Sequence, residues 1–250
     1  MTILLRSALF NALFFPYTVA MSLLGLALLA APRERAVAWV RLWAHGALWL
    51  LRTVAGIRVR VTGQEHLPRA GAGAIIAAKH QSAFDTIVWL VLLPRPVYVL
   101  KRELMAVPVW GWLARHCGHV GVDRKAGAAA LRTMVREAAA AVRDGAQVVI
   151  FPEGTRTAPG TRVPYQPGVA ALAAAAGPAA LVIPVATDSG RFWGRRAFRK
   201  RPGTLAVAVL PPLPSGLPRP ALMAALEEAV ETESARLLRP GDGAGGPGCG

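Results

Sequence analysis

Apolar and polar positions divide the chain into two regimes. From Ser7 to Ala31 no residue is charged. As a helix, such a stretch runs about 36 Å, against a bilayer hydrocarbon core of roughly 30 Å. Arg6 precedes it, and Arg33, Glu34 and Arg35 follow it. Pro16, mid-way, offers a kink or the apex of a re-entrant hairpin. The next apolar segment, 36–54, carries Arg41, His45 and Arg52 together with Trp39, Trp43 and Trp49. Charge mixed with tryptophan predicts an interfacial helix rather than a clean span. Residues 1–54 thus read as a membrane-associated helical hairpin. A cleavable signal peptide, whose apolar region is shorter, and a buried pair of soluble helices are the alternatives.

Beyond residue 55 the period shortens. Residues 57–62 alternate as a strand does, and 74–78 is the unbroken apolar run of a strand buried on both faces. A helix is predicted over 83–93, stopped by Pro94 and Pro96. A strand follows at 97–100, a helical or mixed segment at 105–116 and a short strand at 120–122. An Ala-rich helix over 126–143 ends at Asp144-Gly145. Then come a buried strand (148–151), a loop (154–167), a helix (169–176) and strands at 181–185 and 205–210. Pro184 inside an apolar strand predicts an edge or a bulge. An amphipathic helix occupies 219–238, and the Gly-rich stretch 240–250 is expected to be disordered. Strands alternating with helices predict an α/β fold: a mixed, largely parallel sheet flanked by helices. The boundaries are a hairpin at 1–54, an α/β domain at 55–215, a terminal helix at 216–239 and a tail at 240–250.

Composition sharpens the membrane reading. Of 250 residues, 54% are apolar, against about 45–50% in ordinary soluble domains. The formal net charge is +15. A chain both apolar and basic suits an anionic bilayer surface, which attracts each Lys or Arg by roughly 1 kcal/mol. A GC-rich genome, which inflates Ala, Arg, Gly and Pro, accounts for part of the same bias. No helix-turn-helix, zinc-finger or RNP-type signature accompanies the charge, so nucleic acid is not an expected partner. The two cysteines, Cys117 and Cys249, form no CxxC, so neither a structural disulfide nor a cysteine metal site is expected.

Two blocks carry candidate chemistry. Lys79-His80-Gln81-Ser82-Ala83-Phe84-Asp85 follows a buried strand, and the loops at strand C-termini form the ligand crevice of such sheets. A tight turn brings Asp85 to His80, fixing the tautomer and leaving the far nitrogen as a general base. A hydrogen-bonded histidine beside a helix-capping aspartate is the plain alternative. Phe151-Pro152-Glu153-Gly154-Thr155-Arg156 also follows a buried strand. Gly154 lets a ligand approach the backbone, and Arg156 offers a planar fork for phosphate. A surface Glu–Arg pair on a loop is the alternative. Lys101, at the end of one strand, and Arg124, after Gly121-Val122-Asp123, are further candidate anion contacts or plain surface charge. Ile183-Pro184-Val185 could shape a pocket wall.

These blocks, in this order and at strand ends, resemble the glycerolipid and lysophospholipid acyltransferase family, in particular the bacterial PlsC-type 1-acylglycerol-3-phosphate acyltransferases. The resemblance covers about 55–215, which it implies is the catalytic domain. It implies a fatty acyl group moving from acyl-CoA or acyl-carrier protein (acyl-ACP) to the sn-2 hydroxyl of lysophosphatidic acid, giving phosphatidic acid for phospholipid biosynthesis. In that reading His80 is the base and Asp85 its orienting partner. Lys101, Arg124, Glu153, Gly154, Thr155 and Arg156 bind the acceptor, with no metal, cofactor or acyl-enzyme. The expected setting is the inner membrane, with the active site facing the cytoplasm, where acyl thioesters are found. The expected partners are membrane lipids and the acyl donor.

Two stretches depart from the family pattern. Lys79 stands where Asn is common, and Gln166-Pro167 replace paired lysines before the helix glycine. They keep open another acceptor, such as lyso-ornithine lipid or lysophosphatidylethanolamine. A serine hydrolase using Ser82 is a second rival, disfavoured by the absence of a Gly-x-Ser-x-Gly elbow. The basic cluster Arg191, Arg195, Arg196, Arg199, Lys200 and Arg201, interleaved with Phe192, Trp193 and Phe198, could meet anionic lipid, the phosphates of CoA or an acidic carrier, or be a solvated loop.

Overall fold

The computed structural model describes residues 2–123 and 127–239. Strand β2 (Ala74–Ala78) explains the architecture from its sequence. It has no polar residue, and its side chains alternate between two apolar cores: Ala74, Ile76 and Ala78 on one face, Ile75 and Ala77 on the other. A strand buried on both faces needs helices above and below. Its partners are β1 (Ile57–Thr62), β3 (Pro96–Lys101), β4 (Val120–Val122), β5 (Gln147–Ile150), β6 (Leu181–Thr187) and β7 (Gly203–Val209). Together they form one seven-stranded sheet in the order β1-β7-β6-β2-β5-β3-β4, parallel at every pairing except β6 with β7. The expected mixed, largely parallel sheet flanked by helices is the fold observed.

On one face lie α1 (Ile3–Leu24), α2 (Arg33–Leu50) and the short α3 (Trp89–Leu92); between β3 and β4 come α4 (Arg102–Met105) and α5 (Trp110–His116). On the other face lie α6 (Gly127–Arg143), α7 (Gly168–Ala176) and α8 (Arg219–Leu237). Leu222, Leu226, Val230 and Leu237 form the buried stripe of α8, at the spacing an amphipathic helix requires.

Several local expectations change. Residues 83–93 form no continuous helix but a 3-10 turn (Phe84–Thr86) and α3. The carboxylate of Asp85 turns back to accept the backbone N–H groups of Gln81 and Ser82, which tightens the turn. The segment 105–116 is split into α4 and α5 at Pro108 and Val109, the latter at φ 65°. Gly111 then approaches so closely that a Cβ there would stand 2.1 Å from the Met105 carbonyl oxygen. Pro184 is at neither an edge nor a bulge: β6 lies between β7 and β2. It is tolerated because the β6–β7 ladder begins only at Val185, opposite Val209. The tail 240–250 and Arg124 lie outside the described residues.

The N-terminal hairpin turns at a 3-10 segment (Gly25–Ala30), and α1 passes through Pro16 without breaking. Residues Ile3–Ala30 are long and apolar enough to cross a membrane. The outward side of α1 carries Leu4, Leu5, Phe15, Val19, Leu23 and Leu24, all exposed. Its inward side, Ser7, Phe10 and Phe14, packs into the sheet's own core. The tryptophans of α2 have specific internal partners: Trp39 Nε1 donates to Met21 O (2.8 Å) and Trp43 Nε1 to Thr18 Oγ1 (3.1 Å). Arg41 is equally committed, donating to the carbonyls of Leu90, Leu93 and Pro94 at the end of α3. Trp49 alone of the three is largely exposed.

Candidate active site

Strands β6, β2 and β5 are adjacent and parallel, so their C-terminal ends come together. The loops that leave them hold nearly all the candidate chemistry. The loop after β2 is anchored by Lys79 N–H donating to Val185 O (2.9 Å). It meets the loop after β6 where Gly190 N–H donates to the Gln81 side-chain oxygen (3.0 Å).

His80 Nδ1 lies 3.1 Å from Asp85 Oδ2. The same oxygen accepts from Gln81 N–H and Ser82 N–H, each at 2.7 Å. These charge-assisted bonds fix the carboxylate before it meets the imidazole. With Nδ1–H directed at Asp85, Nε2 keeps a free lone pair. The ring stacks on Phe151, centroids 4.0 Å apart and planes 15° from parallel. Its backbone is gripped from both sides: His80 N–H donates to Glu153 Oε2 (2.7 Å), and His80 O accepts from Thr157 N–H (2.8 Å). The two sequence blocks therefore form one unit, the second holding the main chain of the first.

Glu153, one of the acceptor contacts that the resemblance implies, lies inward of the loop surface. Its side chain is fully enclosed: Oε1 binds Lys79 Nζ (2.8 Å) and accepts from Thr157 Oγ1 (2.7 Å), while Oε2 holds the His80 amide. The carboxylate works beneath the site. Gly154 adopts φ 68°, a conformation costly for a residue with a Cβ. Thr155 is exposed, and Arg156, half-buried, makes no hydrogen bond or ion pair among the described residues. A guanidinium without a partner is free to receive an anion. Lys101 ends β3 as an exposed side chain and is not among the residues lining the adjoining cleft.

That cleft opens at the ends of β3, β4 and β5 and is lined in part by Phe151, Gly154, Thr155, Gln166 and Pro167. A second, strongly apolar cavity lies between the hairpin and the opposite face of the sheet. Met21, Trp39, Trp43, Leu90, Leu100 and Trp110 are among its walls, and Thr86, next to Asp85, reaches it too. An open cleft and an apolar cavity thus flank the His80 loop on opposite sides of the sheet.

The sequence reading passed over the side chains that bind the two loops together. Lys79 attracted notice only as a departure, Thr157 not at all, and Glu231 lay within a helix read as merely amphipathic. The signal for Glu231 was present: it is a charge directly beside the buried stripe of α8. Ser82 is fully buried, its hydroxyl accepting the Phe84 N–H (3.1 Å), so it serves as a turn residue. In the basic cluster, Lys200 points inward. Its ammonium donates to Asn11 Oδ1 (2.8 Å) and Phe198 O (3.0 Å), and it lies over the Trp193 ring, stapling the loop to α1.

Several known proteins are similar to this chain. The family model described as Acyltransferase matches residues 58–188, which include both blocks. The 1-acyl-sn-glycerol-3-phosphate acyltransferase of Pseudomonas aeruginosa is 35% identical over 192 residues, 77% of this chain and 73% of that one. The human 1-acyl-sn-glycerol-3-phosphate acyltransferase alpha is 32% identical over 203 residues, 78% and 70% of the two chains. The crystal structure of the 1-acyl-sn-glycerophosphate (LPA) acyltransferase PlsC from Thermotoga maritima superposes with a TM-score of 0.72 at 22% identity, covering 95% of each chain. By the family match over residues 58–188 and by these relatives, the chain belongs to the acyltransferase family.

Proposed function

We propose that the protein transfers a fatty acyl group from acyl-CoA or acyl-ACP to the sn-2 hydroxyl of lysophosphatidic acid. The observation that carries this reading is the 3.1 Å contact of His80 Nδ1 with Asp85, which leaves Nε2 as a base. Nε2 takes the acceptor's hydroxyl proton as the oxygen attacks the thioester carbonyl. The tetrahedral intermediate collapses, the C–S bond breaks, and the thiolate leaves with the proton carried by the imidazolium. Asp85 stabilises that cation between the two proton transfers. The acceptor's phosphate meets Arg156 and the backbone at Gly154. Arg124, Lys101 and Thr155 belong to the same proposed acceptor site, with Glu153 supporting it from below. The apolar cavity beside Thr86 offers a place for an acyl chain. The exposed apolar side of α1 keeps the site at the inner membrane, where the lipid acceptor resides, with the cleft on the cytoplasmic side.

The test is thiol release from palmitoyl-CoA by purified protein, with and without lysophosphatidic acid, alongside His80→Ala. Acceptor-dependent release that falls by roughly 10²–10⁴-fold in the variant supports the reading. Release that ignores the acceptor would make the protein a thioesterase. The neutral Gln166 and Pro167 in the cleft favour one second reading, an acceptor with a less charged head group. A panel of lysophosphatidic acid, lysophosphatidylethanolamine and lyso-ornithine lipid separates the two.

A further inference from the structure

Lys79 is one of the largest fully buried side chains in the protein. Its ammonium pairs with Glu153 Oε1 at 2.8 Å and with Glu231 Oε1, and donates to Thr161 O (3.3 Å). Glu231 also accepts from the Tyr165 hydroxyl (2.9 Å), and its other oxygen stands 3.8 Å from Arg162 Nε. Burial, then the charge of Glu231, push the Tyr165 hydroxyl far above its ordinary range, with Glu153 and Glu227 adding to the effect, so it stays a donor. One line of contacts therefore runs from α8 through Glu231, Lys79 and Glu153 to the backbone N–H of His80.

Packing does not call for these charges. The apolar stripe of α8 already seats the helix, and a buried ion pair is often no better for stability than hydrophobic residues of similar volume. What the charges do is specific. The ammonium, set between two carboxylates, holds the Glu153 side chain in place, so that one of its oxygens can hold His80 while the other holds Thr157.

We propose that Lys79 and Glu231 are positioning residues for His80, and that α8 is thereby part of the catalytic apparatus rather than a cover for the sheet. The proposal rests on His80 being the base.

The experiment is a double-variant cycle on the full chain in detergent micelles: Lys79→Asn, Glu231→Gln, both together, and Glu228→Gln, on the exposed side of the same helix, as control. Misplacing a catalytic group by about 1 Å can cost up to about 100-fold. Each single variant is accordingly expected to lower kcat by roughly 10–100-fold, with a smaller change in acceptor KM and an altered pH profile of kcat. The double variant, which removes a positive and a negative charge together, is expected to regain most of the loss. Glu228→Gln is expected to match wild type. Single variants at wild-type kcat, or a double no better than Lys79→Asn, overturn the proposal. So does a lower melting temperature accompanied by unchanged kcat per folded molecule and an unchanged pH profile. Should Lys79→Asn not fold, Glu231→Gln decides alone, by its kcat and by the NMR titration of the His80 ring. That titration needs no substrate, and an unmoved His80 overturns the proposal. A His80→Ala protein as fast as wild type would remove His80 as the base, an outcome distinct from failure of the cycle, and would take this proposal with it.

Discussion

Phe151 lies flat against His80, ring centroids 4.0 Å apart, so the second sequence block supplies one wall of the first block's base. Stacked aromatic pairs contribute about 0.5–1.5 kcal/mol beyond their area. Phe151→Ala is therefore expected to lower kcat roughly 2–10-fold, with Phe151→Leu in between. Steady-state rates check this, and an unaffected Phe151→Ala would make the stack incidental.

Asp85→Asn keeps the size of the side chain and removes the charge. One oxygen now accepts from His80 and two backbone amides. The amide can still accept there but cannot stabilise an imidazolium. The expected loss in kcat is about 10²–10⁴-fold, since acid–base catalysis supplies that much. A variant within threefold of wild type, measured by thiol release, would contradict the role given to Asp85.

Arg156 has no partner among the described residues. Arg156→Lys keeps the charge and loses the planar fork. Acceptor KM is expected to rise roughly tenfold, the scale of one charge-assisted hydrogen bond, with donor KM unchanged. The same rise in donor KM alone would reassign Arg156 to the thioester's phosphates.

His119 links stability to pH. Burial, aided by the nearby Arg33, pushes its imidazole from 6.5 down to about 4, and its Nδ1 accepts the Tyr98 N–H at 3.3 Å. Between these values the unfolded chain binds the proton and the folded one does not. Its contribution is therefore complete above pH 6.5 and is lost as pH falls toward 4. The size is at most about 3 kcal/mol, less because the residue is only half-buried. Melting temperatures across that window should fall less steeply in His119→Gln; parallel curves would refute the linkage.

Cys117 should resist alkylation. Burial lifts its thiol to about 11, against a smaller opposing pull from Arg33. Reactivity follows the thiolate. In Cys249→Ser protein at pH 8, iodoacetamide should react roughly a hundredfold more slowly than after unfolding. Equal rates would place the thiol at the surface.

The sheet was legible because strands buried on both faces leave unbroken apolar runs, as at 74–78 and 181–185. The loops were legible because the chemistry concentrates at strand ends. What stayed hidden depended on three-dimensional pairing. No local pattern shows that Asp85 folds back onto the amides of Gln81 and Ser82, so the segment after it read as ordinary helix. Pro184 read as an edge marker because the ladder's starting point is set by β7, far along the chain. The pairing of Glu153 with Lys79 left no mark in the sequence because strand-end position does not reveal which side chain of the other loop lies beside it. Trp39, Trp43 and Arg41 read as interfacial because composition cannot distinguish a partner in the lipid layer from one in the protein.

The attachment of α1 has a mechanical meaning. Phe10 meets Trp193 edge-on at 5.4 Å, and Asn11 holds Lys200, so the helix is bonded sideways to the connection between β6 and β7 rather than tied by its end. A cable would let the enzyme bob at the lipid surface; a keel does not. Shifting α1 along its axis by one turn, about 5.4 Å, carries the mouth of the cleft through the same offset. With α1 seated in the bilayer as proposed, the height of His80 above the hydrocarbon is a fixed dimension of the molecule, as a tool's reach is set by its handle.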